Sequence, residues 1–258
     1  DAGPADAAVA SDGGPTPDAG LLVTLSGPRE LRAVWVATVS NIDFPTSLGL
    51  GPDAGIAQLA AIVDSVAALR LNAIVFQVRP ESDALYISTR EPWSRFLTGT
   101  QGQNPGYDPL QSLLDLAHAK GIEVHAWVNP YRGLTSASVN AAPGHITRVL
   151  SQDAITYNNA VVMDPSSRNV RTWVVNEVRD LTRTYDIDGV HFDDYFYPYP
   201  TSQPYPDDAR YQAYVSDGGT MTKSDWRRDN VNQLVQKASQ AIAAEKPWVR
   251  FGISPFGI

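Results

Sequence analysis

Residues 170–192, VRTWVVNEVRDLTRTYDIDGVHF, join a helical stretch to a short apolar strand. Apolar residues recur at helical spacing over 170–185, and the apolar run at 189–192 follows after a short turn. The same alternation continues outward in both directions. We expect strands at 31–39, 73–78, 122–128, 189–192 and 248–254, and helices at 56–71, 109–120, 170–185 and 225–244, the last capped by Ser224.

This alternation of strand and helix predicts right-handed crossovers and a parallel sheet. The long connections follow the strands, which is where a (β/α)8 barrel carries its active site. No glycine-rich phosphate fingerprint follows the first strand, as a dinucleotide-binding fold would require. We therefore predict an α/β fold over residues 28–258: a TIM-type (β/α)8 barrel of which this chain holds about the first five strands. An open doubly wound sheet that ends at the fifth strand is the alternative.

The first residues of the chain differ from the rest in composition. Residues 1–20, DAGPADAAVASDGGPTPDAG, are nearly all Ala, Asp, Gly and Pro and include no aromatic residue. Such a stretch buries too little apolar surface to offset its ordering entropy. We expect residues 1–27 to be a disordered acidic tether. A leader of this kind suits an exported protein that is periplasmic, outer-membrane-associated or extracellular, with a lipid anchor upstream of residue 1 as one option.

The overall composition excludes several classes of protein. The chain has 258 residues, no Cys and a formal net charge of −8. Without cysteine there is no disulfide scaffold, thiolate zinc site or cysteine nucleophile. Phosphate backbones require a basic face, and a membrane span requires roughly 20 apolar residues, neither of which the sequence offers. We therefore expect no nucleic-acid partner, no integral membrane segment and no cofactor.

Polar residues collect toward the C-terminal ends of the predicted strands. Side chains alternate between the two faces of a strand, so residues of equal parity share a face. The polar sets lie on one parity and mainly apolar residues on the other. The simplest arrangement points one set into the barrel mouth as a binding site: Gln77, Arg79, His125, Asn129, His191 and Asp193.

The segment Asp188–Pro200, DGVHFDDYFYPYP, is the most informative for chemistry. Asp193 ends a strand, and an ionised carboxylate there can act as nucleophile, base or electrostatic stabiliser of a cationic transition state. The aromatic loop that follows supplies flat rings that stack on sugars. We expect Tyr195, Tyr197, Trp35 and Trp127 to contribute such rings, with ordinary core packing as the alternative.

Ordinary glycoside hydrolysis requires a second carboxylate. The chain has only six Glu residues, and of these only Glu81 and Glu91 can reach the barrel rim. Asp83, Asp164 and Asp194 are further options, as is an acid on strands outside this chain. Asp194 lies on the opposite side of an extended strand from Asp193, which suits it better to orienting a neighbour by hydrogen bonds.

Seven stretches together resemble the glycosyl-hydrolase-like 10 family, a bacterial group. They are RAVWVAT, NAIVFQVRPESDALY, GIEVHAWVNPYR, MDPSSRNVRTWVVNEVRDL, YDIDGVHFDDYFYPYP, DWRRDNVNQLV and ISPFG, and they cover residues 31–258 almost without a break. The resemblance implies a (β/α)8 barrel glycoside hydrolase of the exported cell envelope. It also implies a polysaccharide substrate, because some members act on peptidoglycan glycan strands stripped of stem peptides.

The stretch DGVHFD also resembles the DGFRxD pattern on strand four of the alpha-amylase clan. The final Asp of that pattern is the nucleophile and falls on Asp193, whereas its Arg falls on His191. A nucleophile role for Asp193 therefore lacks the clan's fixed cation. The DxxDxDxE run of chitinase-type barrels is missing, which argues against their substrate-assisted route.

The stretch DWRRDNVN places arginines at the start of a helix, where they oppose the helix dipole. Arg228 therefore either pairs with Asp194 or a substrate carboxylate, or forms a surface ion pair with Asp225 or Asp229. We predict a glycoside hydrolase acting on a cell-envelope polysaccharide through Asp193.

Two other functions remain open. One is a non-catalytic glycan-binding barrel. The other is a metal-dependent hydrolase or deacetylase, for which His125, His191, Asp193 and Asp194 are suitable ligand types although no HxH or HExxH spacing is present.

Overall fold

The computed structural model describes residues 30–193 and 195–255. Its strands are β1 Ala33–Val36, β2 Ala73–Arg79, β3 Glu123–Val128, β4 Arg132–Leu134, β5 Ala154–Tyr157, β6 Ala160–Met163, β7 Gly189–Phe192 and β8 Arg250–Ile253. Its helices are α1 Pro52–Ala68, α2 Arg95–Thr98, α3 Pro109–His118, α4 Ile146–Val149, α5 Arg168–Thr184, α6 Asp208–Ser216 and α7 Lys223–Glu245. Residues 1–27, for which we predict a tether, lie outside the described residues.

Five strands form a wholly parallel sheet in the order β1-β2-β3-β7-β8. These are the five predicted strands, and each occupies its predicted place in the chain. Helices α1, α3, α5 and α7 are the four predicted crossovers. The sheet is therefore the five-stranded sector of a (β/α) barrel, as the strand–helix alternation predicts.

The start of α7 differs from the prediction. Its N-cap is Thr222, whose hydroxyl accepts a hydrogen bond from the backbone N–H of Asp225 at 3.2 Å. The predicted cap, Ser224, lies inside the helix. Thr222 takes the role because its hydroxyl also donates to the Asp225 carboxylate, which satisfies both side chains at the free end of the helix.

A second, antiparallel sheet was not predicted. It has the order β4-β6-β5 and is inserted between β3 and α5. Strands β5 and β6 are joined by the two-residue turn Asn158–Asn159, where φ is 48° and 62°. A two-residue hairpin turn in which both φ angles are positive favours Asn. The Asn158–Asn159 pair could therefore have predicted this hairpin from the sequence.

One face of the parallel sheet packs against the crossover helices. Strand residues such as Ile74, Phe76, Val124 and Phe192 are fully buried in one cluster with helix residues such as Leu113. Each buried side chain of this kind contributes about 1.5–3 kcal/mol. The other face carries polar and aromatic residues such as Gln77, His125 and Trp127 beside the smaller apolar residues Ala73 and Val75. None of the helices in residues 30–193 and 195–255 is both long and apolar enough to cross a bilayer.

Candidate active site

Asp193 follows β7 directly and lies at the C-terminal edge of the parallel sheet. Its carboxylate accepts hydrogen bonds from the indole Nε1 of Trp127 at 3.1 Å, from the side-chain amide of Asn129, and from the backbone N–H of Tyr195 at 3.2 Å. The residue is 8% exposed. These three donors, one in β3, one just after β3 and one in the aromatic loop, hold the carboxylate in one orientation.

Gln77 controls the orientation of Asn129. The Gln77 side-chain oxygen accepts from the backbone N–H groups of Thr38 at 2.8 Å and Val39 at 2.9 Å. Its amide nitrogen must therefore face Asn129, to whose Oδ1 it donates at 2.6 Å. The Asn129 amide nitrogen is then directed at Asp193. The structure thus brings Gln77, Asn129 and Asp193 together, as the shared parity predicts.

The two predicted histidines lie on the same face of the sheet, each against a glycine of the next strand. His125 contacts the Glu123 carboxylate through Nε2 at 3.2 Å, and His191 bonds to the Ser254 hydroxyl at 2.8 Å. A Cβ at Gly189 would lie 2.7 Å from Nδ1 of His125. Burial, and then the nearby His125, lowers the pKa of His191 and favours its neutral form.

Trp127 borders the Asp193 carboxylate, and Trp35 packs against Trp127. Trp35 lies edge-on to Trp127, with ring centroids 4.9 Å apart, and edge-on to His191 at 4.8 Å. Trp35 is 39% exposed, so its ring is open to a ligand. Trp127 has its nitrogen directed to Asp193.

Arg79 does not face the barrel mouth, contrary to the parity prediction. The register shifts between Gln77 and Arg79, so that Arg79 pairs with Val128 and takes the face that packs on the helices. Its guanidinium is fully buried against Glu91 and donates to the backbone oxygen of Asn129 at 2.6 Å. Burial by itself would lower the pKa of Arg79, but the Glu91 carboxylate outweighs burial and raises it. Arg79 therefore holds the backbone of Asn129 from the helix-packed face of the sheet, through the hydrogen bond to its carbonyl oxygen.

Glu81 is similarly engaged away from the mouth. Its carboxylate, which has no exposed surface, pairs with Arg95 at 2.7 Å and accepts from the backbone N–H of Thr135 at 2.6 Å. Both oxygens therefore accept hydrogen bonds, the opposite of what a proton donor does. The prediction of Glu81 as a rim acid failed because the loop after β2 folds the side chain inward.

The other options for a second carboxylate are also occupied. Glu91 is buried against Arg79, and Asp164 is buried against Arg210 at 3.0 Å. Asp83 is buried and accepts from Gln101 at 3.0 Å. Burial, and then the charge of Glu81, raises the pKa of Asp83 to about 7. Asp194 lies outside the described residues.

Two predicted contact residues lie elsewhere. Arg228 is two-thirds exposed at the start of α7 and pairs with Asp225, the surface ion pair that the sequence left open. Tyr197 packs edge-on against Tyr205, with centroids 5.4 Å apart, and Asn230 of α7 donates to its hydroxyl at 3.4 Å. Burial raises the pKa of Tyr197. The ring of Tyr197 is therefore packed against other side chains, which is the alternative to sugar stacking that the sequence left open.

A cleft of about 390 Å³ lies between the antiparallel sheet and the aromatic loop. The rings of Tyr195 and Tyr199 form part of its wall, are 37% and 41% exposed, and have centroids 4.8 Å apart. Asp193 is connected to this wall by the hydrogen bond that its carboxylate accepts from the backbone N–H of Tyr195. Exposed aromatic rings beside a fixed carboxylate suit a sugar ligand.

Three of the four predicted metal ligands, His125, His191 and Asp193, are among the described residues, and these three are not grouped around a common point. Within residues 30–193 and 195–255, no group of three or more His, Asp or Glu side chains is placed to hold an ion. His125 and His191 are instead directed at Glu123 and Ser254.

Residues 30–258 match the family described as glycosyl hydrolase-like 10. The chain belongs to this family. Glycosyl hydrolase YngK of Bacillus subtilis (strain 168) is 43% identical over 241 residues, which are 92% of this chain and 47% of YngK. Glycosyl hydrolase DigH of Escherichia coli (strain K12) is 39% identical over 267 residues, covering 94% of this chain and 60% of DigH. The chain thus spans about half the length of the curated relatives it matches.

Solved glycosidase structures share the fold of this glycosyl hydrolase-like 10 chain. An alpha-L-fucosidase isoenzyme from Paenibacillus thiaminolyticus superposes with a TM-score of 0.58 at 15% identity, over 87% of this chain and 32% of the fucosidase. An alpha-galactosidase from Lactobacillus brevis gives 0.52 at 10% identity, over 88% of this chain and 27% of the galactosidase. At such low identity the likeness shows the fold alone, and it confirms the predicted barrel.

Sequence reasoning missed several contributors to the site of this glycosyl hydrolase-like 10 chain. The backbone N–H groups of Thr38 and Val39 carry no sequence signal, because every residue but proline has one. The wall formed by β4, β5 and β6 could have been found from the Asn158–Asn159 turn. Arg132, the last residue of NPYR, lines the cleft and was quoted only as part of that stretch.

Proposed function

We propose that this protein hydrolyses glycosidic bonds of a bacterial cell-envelope polysaccharide, with Asp193 as the catalytic carboxylate. The observation that carries the proposal is the placement of Asp193. It lies at the C-terminal edge of the parallel sheet, is oriented by Trp127, Asn129 and Tyr195, and adjoins a cleft with exposed aromatic rings. Membership in a glycosyl hydrolase-like family supports the same reaction class.

Asp193 can perform either of two steps. As a nucleophile it would attack the anomeric carbon while a second carboxylic acid protonates the leaving oxygen; as a base it would take a proton from the attacking water. Because Glu81, Glu91, Asp83 and Asp164 are held by other groups, we propose that the proton donor is a different residue of the full-length protein.

The proposed substrate is the glycan strand of peptidoglycan freed of stem peptides. The supporting observations are the exposed rings of Trp35, Tyr195 and Tyr199, which offer stacking surfaces for successive sugars. A protein with this substrate would be exported, and we propose an envelope location with a lipid anchor upstream of residue 1. Cell fractionation of the full-length protein tests the location directly.

Product analysis tests the activity. The full-length protein is incubated with peptide-free glycan strands, and mass spectrometry follows the products for the wild type, for Asp193→Asn and for a chelator-treated sample. Cleavage that is lost in Asp193→Asn and kept under chelator is the expected result. Cleavage that survives the substitution contradicts the role of Asp193, and loss under chelator favours a metal-dependent hydrolase. If no sample shows cleavage, the proposed substrate is wrong, and a glycan pull-down then tests a binding-only role.

A further inference from the structure

The cleft beside Asp193 contains one charged side chain among its described lining residues. That side chain is Arg132 of β4; the remaining lining residues are apolar or neutral, such as Leu134, Val161 and Asn158. A positive charge placed in a mainly apolar cleft, in a protein whose net charge is −8, is costly unless a negative group joins it. None of the lining residues that the structure describes supplies such a group.

Arg132 differs from Arg79 and Arg95 in having no acidic partner among the described residues. Arg79 pairs with Glu91 and Arg95 with Glu81, whereas no carboxylate of residues 30–193 or 195–255 is recorded within ion-pair distance of Arg132. Its Nη1 lies 3.5 Å from the backbone oxygen of Pro80, the outer limit of a hydrogen bond. The guanidinium therefore keeps most of its donor capacity for a ligand.

The aromatic ring of Tyr195 holds the Arg132 guanidinium in place. The Cζ atom lies 4.6 Å from the ring centroid, a cation–π contact. A guanidinium stacked on a ring keeps its N–H groups in the plane, where a carboxylate can accept two of them side by side. The stacking thus orders the donors in advance and reduces the entropy that binding would otherwise cost.

Tyr195 also links this cation to the catalytic carboxylate. Its backbone N–H donates to Asp193 and its ring contacts Arg132, so the two charged groups flank one residue. A sugar unit placed at Asp193 would therefore present the substituents of that unit or its neighbour to Arg132. The same cleft wall would select the substrate and position the bond to be cleaved.

We propose that Arg132 is a specificity-determining residue that binds a carboxylate carried by the glycan. The inference rests on the proposed function, and it deepens that function by requiring an acidic sugar unit in the cleft. A neutral glycan of the same length would leave the Arg132 charge without a partner and would bind more weakly.

The test measures binding by calorimetry in full-length protein carrying Asp193→Asn, so that no glycan is consumed. The probes are peptide-free glycan strands with their carboxylates intact and the same strands after conversion of the carboxylates to neutral amides. The variants are Arg132→Ala and Arg132→Gln, the latter keeping a polar planar end without the charge. The control is Arg183→Ala, an exposed arginine of α5. Thermal unfolding verifies that each variant is folded.

We expect Arg132→Ala and Arg132→Gln to weaken binding of the acidic strands by about tenfold or more, since a charge-assisted hydrogen bond contributes roughly that factor. Binding of the amidated strands should be unchanged, and the preference for acidic strands should shrink at high salt. Equal affinity for both probes, an equal loss for both in the variants, or no binding of either would overturn the inference.

The outcome separates this inference from the proposed function. In one outcome the protein prefers the acidic strands, the preference depends on Arg132, and the wild type cleaves neither probe. That outcome contradicts the hydrolase proposal and supports the role of Arg132. Cleavage of acidic and amidated strands by the wild type at equal rates supports the hydrolase and overturns the role of Arg132.

Discussion

Asn129 donates its side-chain amide to the carboxylate of Asp193, and its side-chain oxygen accepts from Gln77. Gln77 is in turn anchored by the backbone N–H groups that follow β1. Strands β1, β2, β3 and β7 are neighbours in the sheet, and the hydrogen-bond chain takes its members from β2 and from the segments that follow β1, β3 and β7. The orientation of the Asp193 carboxylate, the proposed catalytic group, is therefore set by residues of four strand ends.

Gln77→Leu should impair catalysis although Gln77 would not touch the substrate. The substitution frees the Asn129 amide to rotate and leaves Asp193 misdirected, and misplacement of a catalytic group by about 1 Å costs on the order of 100-fold in rate. We expect kcat for glycan cleavage to fall by about 10- to 100-fold, with KM changed much less. The control is Gln58→Leu, whose side chain bonds to Thr46 on the surface. If the Gln77→Leu variant is folded and its kcat equals that of the wild type, the hydrogen bonds from Gln77 through Asn129 do not position Asp193.

Gly189→Ala and Gly252→Ala should each destabilise the fold. The new Cβ would lie 2.7 Å from the His125 ring in one case and 2.6 Å from the His191 ring in the other. Overpacking of this kind costs about 1–3 kcal/mol. Urea unfolding measures the loss, and Gly144→Ala is the matched control, because a Cβ at Gly144 meets nothing within 4 Å. Equal unfolding midpoints for the three variants would refute the close ring contacts.

Removing one partner of the Arg79–Glu91 pair should be more damaging than removing both. Neither side chain has any exposed surface, so Arg79→Met leaves a buried, uncompensated carboxylate. That loss costs about 3–5 kcal/mol in the free energy of unfolding. The double variant Arg79→Met/Glu91→Gln should recover part of it. A double-mutant cycle by urea unfolding checks the coupling, and strictly additive losses would contradict a buried ion pair.

Asp83 should make the stability of the protein fall as the pH rises. Its folded-state pKa is raised from 3.8 to about 7 by burial, so the folded protein retains a proton that the unfolded chain releases in this range. The free energy of unfolding contributed by this group therefore declines between about pH 4 and pH 7 and is level above that.

Asp83→Asn removes this penalty while keeping the shape of the side chain. We expect the stability advantage of the variant over the wild type to be larger at pH 8 than at pH 5 by more than about 1 kcal/mol, since one pKa unit corresponds to about 1.4 kcal/mol and only part of the decline is complete at pH 5. Urea unfolding at both pH values makes the comparison. An equal difference at pH 5 and pH 8 would show that the Asp83 carboxyl does not titrate in this window.

Strand positions and the convergence of Gln77, Asn129 and Asp193 could be predicted from the sequence, because buried strands and alternating faces leave regular patterns. The direction of Arg79 could not, because one extra residue in β2 reverses the parity and no residue type announces that bulge. The inward folding of Glu81 depends on Arg95 and on a backbone N–H of a distant loop. Long-range partners of this kind are not encoded in local spacing.

The role of Asp193 is tested most directly by kcat at saturating glycan and Kd for the same glycan, measured for wild type and Asp193→Asn of the full-length protein. Asn has the same shape as Asp but cannot act as nucleophile or base. With Asp115→Asn, an exposed site on α3, as control, we predict that kcat falls by about 1,000-fold or more while Kd changes by less than about threefold. A kcat within tenfold of the wild type would contradict Asp193 as the catalytic carboxylate.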